Sequence, residues 1–380
     1  MKVSLKAARF LFLALAALAS ALVVAELAMR LAGPDVPERG PNNRLSLRTP
    51  VPAQIDPWLG DGLKAGVAGK VLYPAFGDVP DRMVRYEIST QRLRDRIYEL
   101  PRPPGVLRIA CLGDSDTYGT GLDVEETWPK QLETKLRERH PSLAIEVLNA
   151  GVYAHNTSQM VAWYRTVVAE FEPQIVILMG NVNDASGRNM TARENTTSSA
   201  AQWNNRLGLT SGLWDEADMV EATAPIRRTM FLRRHSRLAD FAAHRLHKIL
   251  MGRHMGWSYN TDWDPSNDGV RMVGEALDEL VRLSERDGFR CLAAQYPHLV
   301  SLNENYPFRA VAETFERLCT ERGLDFVDLL PALAGQEAKQ LHVHPHDRHP
   351  NRIAGDLVTE ALADQLDPWV ADLAGSSGGS

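Results

Sequence analysis

Apolar residues follow two different rhythms along this chain. The run Phe10 to Ala25, FLFLALAALASALVVA, is uncharged, follows Lys2, Lys6 and Arg9, and is first interrupted by Glu26. Apolar character then resumes at Leu27, Ala28, Met29, Leu31 and Ala32. Crossing hydrocarbon takes roughly 20 residues. The run reaches that length if Glu26 and Arg30 snorkel to the far headgroups. A basic start and an apolar core also describe a cleavable signal, but Val23-Val24-Ala25 is a poor small-x-small cleavage site. Residues 1–33 are therefore expected to be a retained anchor. The basic residues ahead of it place the N-terminus in the cytoplasm and everything after Gly33 outside.

From Pro34 to Pro104 the apolar runs are short and Pro, Gly and Arg are frequent. Lys70–Tyr73 and Val84–Ile88 read as strands, and no long helix is evident. The expectation for residues 34–104 is a spacer or accessory region, bounded by the Pro-rich PRPPG at 101–105. Gly60 to Gly69 lacks the spacing of a phosphate loop and reads as turns.

Beyond Gly105 short apolar runs alternate with amphipathic stretches. Strands are expected at Leu107–Leu112, Ile145–Leu148, Ile175–Met179, Arg290–Ala294 and Asp325–Leu329. Helices are expected at Trp128–Arg139 behind Thr127, Ser158–Phe171, Met272–Arg286, Ala310–Arg322 and Arg352–Gln365. The run IVILM at 175–179 suits a strand covered on both faces. This alternation predicts a three-layer α/β/α domain with a mainly parallel sheet over residues 105–370. Residues 185–267 break the rhythm and read as an insertion, polar first and then rich in Trp, Met and Arg. Residues 371–380, ending in GSSGGS, read as a flexible tail.

Composition narrows the field. The chain has 380 residues, 44% hydrophobic and 24% charged, so it carries enough apolar material for a large folded domain. A net charge of -6 offers no basic field for a phosphate backbone, so no nucleic-acid partner is expected. Cys111, Cys291 and Cys319 form no metal or redox spacing and read as buried thiols. Trp203, Trp214, Trp257 and Trp263 read as packing anchors or as the lining of an acyl or sugar cleft. Arg227-Arg228 and Arg233-Arg234 read as a solvated face.

Four polar segments stand at turns that a parallel sheet would gather. Gly113-Asp114-Ser115-Asp116 follows the first strand of the repeat, and Asn149-Ala150-Gly151-Val152 follows the second. Gly180-Asn181-Val182-Asn183-Asp184 follows IVILM, and Asp347-Arg348-His349-Pro350-Asn351 precedes the last helix. Open α/β sheets bind ligands at the carboxyl ends of their strands, where a serine can present its hydroxyl. His342, His344, His346 and His349 lie close together, but no second, distant ligand group accompanies them. Neither a metal nor another cofactor is expected.

In order and spacing these segments resemble the four blocks of the SGNH, or GDSL, hydrolases, through Ser115, Gly151, Asn183 and His349. The text RIACLGDSDTYGTGLDVEETWP is similar to membrane-anchored bacterial members. The resemblance spans roughly Gly105 to Pro368, with the insertion unmatched. It implies an acyl-serine on Ser115, with His349 as base and a carboxylate orienting the imidazole. The oxyanion donors would be the backbone N–H groups of Ser115 and Gly151 and the amide of Asn183. Asn183 is preferred to Asn181 because the family pairs its Asn with a following Asp, here Asp184.

Two departures stand out. The family usually places its Asp three positions before the His, where His346 stands here; some relatives involved in polysaccharide acetylation resemble the shorter Asp-x-His spacing, and that resemblance implies the orienting role for Asp347. Asp116 follows the nucleophile, where it would raise the His349 pKa or face solvent. The expected activity is hydrolysis of short acyl esters of an envelope glycan or lipid. One alternative is O-acyl transfer to a polysaccharide beside a membrane acyl-donor partner; another is a non-catalytic glycan-binding scaffold. The expected location is the bacterial inner membrane, with the main domain in the periplasm.

Overall fold

The computed structural model describes residues 5–32, 53–56, 60–63, 65–73, 80–153, 155–185, 236, 238–239, 259–345 and 347–377. The chain divides into two compact units, residues 1–44 with 199–254 and residues 45–198 with 255–380. In the first unit, helix α1 (Leu5–Ala32) contains the apolar run. Glu26 is partnered there: it accepts from Ser236 Oγ at 2.7 Å and Leu238 N at 2.9 Å, and pairs with Arg30 at 2.7 Å. Among the described residues no helix is long and apolar enough to cross a membrane. The side chains of Phe10, Leu11, Phe12 and Leu15 lie outside the described residues.

The second unit opens with two antiparallel hairpins, β1 (Ala53–Asp56) with β2 (Gly60–Leu63), and β3 (Val67–Tyr73) with β4 (Arg82–Ile88). From Leu45 onward the expected spacer is thus part of the same unit as the main sheet. The reason is the two-residue period of β4. Val84, Tyr86 and Ile88 point into the core while the residues between them face out. An edge hairpin buries one face, so its apolar residues never form a long run.

The main sheet contains β5 (Val106–Gly113), β6 (Ala144–Gly151), β7 (Ile175–Gly180), β8 (Arg290–Gln295) and β9 (Asp325–Asp328), all parallel in the order β6-β5-β7-β8-β9. Helix α2 (Ser115–Tyr118) is a single turn after β5. Helix α3 (Trp128–Arg139) follows it, α4 (Thr157–Thr166) follows β6, and α5 (Asp268–Asp287) precedes β8. Helix α6 (Arg309–Thr320) precedes β9. A hairpin of β10 (His342–His344) and β11 (Asp347–Pro350) leads into α7 (Arg352–Ser377). Helix α3 packs on α7, and α4 packs on α5. The all-buried β7 sits mid-sheet, as its unbroken apolar run requires. The three cysteines are buried free thiols.

Two expectations change. Residues 371–377, read as tail, continue α7, which carries Pro368 without ending there. Ser158–Phe171 is a shorter α-helix followed by a 3₁₀ turn at Val168–Phe171. Most of the insertion, with Trp203, Trp214, Trp257 and the two Arg pairs, lies outside the described residues. Its two ends meet, because a Cβ on Gly269 would stand 1.7 Å from the Ala185 carbonyl oxygen. Trp263 is a packing anchor: it is buried against Phe315, and its Nε1 donates to Val182 O at 2.8 Å.

Neighbouring residues after β4 hold the loop that leaves α2 and the end of β6. Arg94 is fully buried, and its guanidinium donates to the carbonyls of Tyr118 (2.5 Å), Gly119 (2.7 Å), Leu122 and Arg85 (3.3 Å). It also contacts the rings of Tyr86 and Tyr118, 4.3 and 4.7 Å from their centroids. Asp95 Oδ2 accepts from Asn149 N at 2.9 Å and from the Tyr98 hydroxyl at 2.8 Å, and it pairs with Lys130 at 3.2 Å.

Arg94→Met keeps the stem but leaves those carbonyls without their donor. A loss of about 3 kcal/mol in urea unfolding is expected. A loss under about 1 kcal/mol would mean that the carbonyls find other partners.

Candidate active site

The parallel sheet changes direction at β5, with β6 on one side and β7 on the other, which opens a crevice at the carboxyl ends of these strands. Gly113 ends β5. A Cβ there would lie 1.9 Å from Thr117 Oγ1, so only glycine lets α2 fold back over the strand. Asp114 caps α2 by accepting from Asp116 N at 2.9 Å. Ser115, the first residue of α2, is thereby held at the mouth of the crevice, and its carbonyl accepts from Gly119 and Thr120.

Gly151 pairs in register with Gly113. Its N–H, expected to face an oxyanion, instead donates to Asn149 Oδ1 at 3.1 Å. A Cβ on Gly151 would stand 2.3 Å from Tyr118 N. Glycine at 151 lets α2 approach the end of β6 closely. To serve as an oxyanion donor, its N–H would have to leave Asn149 Oδ1.

Beyond β7, the Asn181 amide donates to Asp116 Oδ2 at 2.7 Å and to Asp114 Oδ2 at 3.2 Å. The Asn183 side chain is hydrogen-bonded to Asp114. Asp184 is buried and accepts from Thr157 Oγ1 at 2.9 Å and Asn181 N at 3.2 Å, which shapes the turn. Both asparagines therefore converge on the turn that carries Ser115. Asn183 is the more open of the two, while Asn181 is buried against the carboxylates.

The hairpin β10–β11 carries the histidines. His349 Nδ1 lies 2.5 Å from Asp347 Oδ1, which also accepts His349 N at 3.1 Å. Asp and His two residues apart on a strand share one face, so the shorter spacing still forms the pair. Strand β11 packs on α2, and the Tyr153 ring stands 6.3 Å from that of His349. The other described histidines of this segment, His342 and His344, have different surroundings. His342 Nε2 contacts Leu299 O at 3.1 Å, His344 is buried 5.9 Å from the Tyr73 ring, and His346 lies outside the described residues. Among the described residues no group of three or more His, Cys, Asp or Glu is arranged to hold a metal.

Charge in this crevice is concentrated on one imidazole. Burial alone would lower the His349 pKa, but the carboxylates of Asp347, Asp116 and Asp114 overcome it and lift it to about 9. Burial works to raise Asp347, and His349 and the Tyr73 hydroxyl outweigh it, holding the carboxyl below the usual range. Burial and then the Asp114 charge push Asp116 up to about 7. Asp116 thus faces the site, and of its two expected roles it takes the one that raises His349.

The sequence from residue 111 to 354 matches the model of the GDSL-like Lipase/Acylhydrolase family. This chain belongs to that family. It is a serine ester hydrolase on an SGNH-like α/β fold. No curated protein matches the sequence. Among solved structures it is similar to an acetyl xylan esterase, AlAXEase, at 12% identity over 68% of this chain and 100% of that one, with a TM-score of 0.40. It is also similar to the psychrotrophic esterase EstA from Pseudoalteromonas sp., at 15% identity over 70% and 98%, with a TM-score of 0.39. TesA is matched at 13% identity over 69% and 98%, also with a TM-score of 0.39. Likenesses at this level carry no conclusion about substrate.

Sequence reasoning missed the part played by Arg94, Asp95 and Tyr73, which precede the matched family region. It also set Asn181 aside, although GNVND offers two asparagines, one on each side of Val182.

The His349 imidazole is expected to titrate near pH 9 by NMR. Asp116→Asn removes a charge that favours the imidazolium, so the midpoint should move down. A midpoint unchanged by Asp116→Asn would show that this carboxylate does not reach the ring.

Proposed function

We propose that Ser115 is the nucleophile, His349 its general base and Asp347 the residue that orients the base. The observation that carries this reading is the His349–Asp347 pair, set on a hairpin packed against the helix that begins at Ser115. With Nδ1 held by Asp347, Nε2 is the nitrogen left to take the serine proton. Ser115 Oγ attacks the ester carbonyl, and the Ser115 N–H and the Asn183 amide receive the oxyanion. The imidazolium then protonates the departing alcohol, leaving an acyl-serine. Water, deprotonated by His349, releases the acid and restores the serine.

The acyl group is short, on the order of acetyl. Asp114, Asp116 and Asn181 line the crevice beside Ser115 with polar atoms, a poor bed for a long hydrocarbon chain. The alcohol side is a sugar of the cell envelope, reached from a membrane anchor. Support for the anchor comes from the uncharged run Phe10 to Ala25 behind Lys2, Lys6 and Arg9, and from the exposed Leu18, Leu22, Val23, Val24, Leu27 and Leu31 on α1 (Leu5–Ala32). Partnering of Glu26 within the same unit lowers the cost of a carboxylate near the end of such a run. The main domain then lies in the periplasm. A sugar hydroxyl in place of water would turn the same acyl-serine toward O-acyl transfer, with a membrane acyl donor as partner.

The full chain in mild detergent, treated with a fluorophosphonate, should gain the mass of one adduct, and Ser115→Ala should gain none. Hydrolysis of p-nitrophenyl acetate should fall by about a thousandfold or more in Ser115→Ala, and by about 100- to 10,000-fold in Asp347→Asn. A folded Ser115→Ala with normal turnover overturns the proposal. An acetylated oligosaccharide product, formed when sugar is added, selects transfer over hydrolysis.

A further inference from the structure

We propose that Tyr73, on the N-terminal hairpin, is a positioning residue for the His349–Asp347 pair: its hydroxyl holds the carboxylate oxygen that the histidine leaves unused. The proposal rests on the reading of His349 as base and Asp347 as its orienter. Asp347 Oδ1 accepts both the Nδ1–H and the backbone N–H of His349, at 2.5 and 3.1 Å. Oδ2 accepts from the Tyr73 hydroxyl at 3.3 Å. A carboxylate gripped by one oxygen can still rotate about its own bond. Donation to the second oxygen holds its plane, and with it the direction in which the imidazole points.

Tyr73 is itself well fixed. It is buried, its ring stands 5.9 Å from that of His344, and it pairs with Arg82 across the β3–β4 hairpin. Its hydroxyl also meets the Tyr86 side chain, and Tyr86 Oη accepts from Gly121 N at 2.7 Å. Gly121 lies on the loop just after α2. A chain of contacts thus runs from the nucleophile's loop through Tyr86 and Tyr73 to Asp347 and His349. Burial, with Tyr86 and Asp347 alongside, pushes the Tyr73 phenol well up, so it stays protonated and acts as the donor. Residue 73 precedes the matched family region, 111–354, so this chain's own hairpin supplies the contact.

The test is Tyr73→Phe in the full chain, with p-nitrophenyl acetate as substrate. Turnover should fall on the order of tenfold, with KM changed less than about twofold. The acid limb of the kcat/KM profile should move to higher pH. A carboxylate that loses a donor keeps more of its charge for the imidazolium, which raises the His349 pKa. Asp116 and Asp114 face His349 from the α2 side, and Arg348, His298 and His342 stand near the hairpin. All five are unchanged in the variant, so the displacement reports Tyr73. In an Asp347→Asn background, Tyr73→Phe should have no further effect on kcat.

An acid limb that stays in place, or an equal loss in the Asp347→Asn background, overturns the proposal and leaves Tyr73 a packing residue. Ser115→Ala separates the two levels. If it abolishes turnover while Tyr73→Phe is silent, only the Tyr73 proposal fails. If Ser115→Ala retains turnover, the serine reading itself fails.

Discussion

A guanidinium buried among carbonyl oxygens and aromatic rings is the constraint on which the rest of the site depends. Arg94 is sealed from solvent, and its charge is met by the carbonyls of Tyr118, Gly119, Leu122 and Arg85 and by the faces of Tyr86 and Tyr118. An isolated buried cation is costly, and several oriented carbonyl dipoles offset that cost only in one geometry. That geometry fixes the backbone leaving α2, so the helix that begins at Ser115 is held at its far end. Asp95, one residue on, does the same for the second strand by accepting from Asn149 N. Asn149 in turn accepts the Gly151 N–H. Two adjacent residues on a short connection therefore tie together both turns that flank the crevice.

Electrostatics within the crevice follow from crowding. Three carboxylates face one imidazole, and their surroundings set Asp347 apart from Asp116. Asp347 is satisfied by His349 and Tyr73 and remains charged, whereas Asp116 is pushed toward neutrality by burial and by Asp114. Paired carboxylates with separated pKa values are a familiar means of dividing labour in a site. Asn181 mediates here, since its amide bridges Asp114 and Asp116.

Much of the fold was legible because each element of the main sheet obeys its own local rule. The IVILM run announced a fully covered strand, and β7 is buried at every position. Helix α3 begins and ends where its cap and amphipathic pattern place it, Trp128–Arg139. The hairpins before residue 105 were harder to place, because a strand that buries one face shows only alternate apolar residues and Tyr and Arg serve both faces. The extension of α7 to Ser377 was hidden for a similar reason. Gly375 and the serines after it argue locally for a tail, while the helix is already established upstream.

Order along the chain singled out the candidate site residues. Ser115, Asn183, Asp347 and His349 each sit in a short polar segment after a strand or before a helix, and parallel topology sends such segments to one edge. Asp347 was assigned through the family resemblance, and the structure adds the reason: on β11 a residue two places from His349 shares its face. What each neighbour does was decided only in three dimensions. Gly151 gives its N–H to Asn149, Asn181 bridges two carboxylates, and Tyr73 reaches Asp347 across 274 positions of sequence. A hydrogen bond depends on distance and direction between atoms, and residues that precede the repeating pattern carry no periodic trace of the partners they will meet.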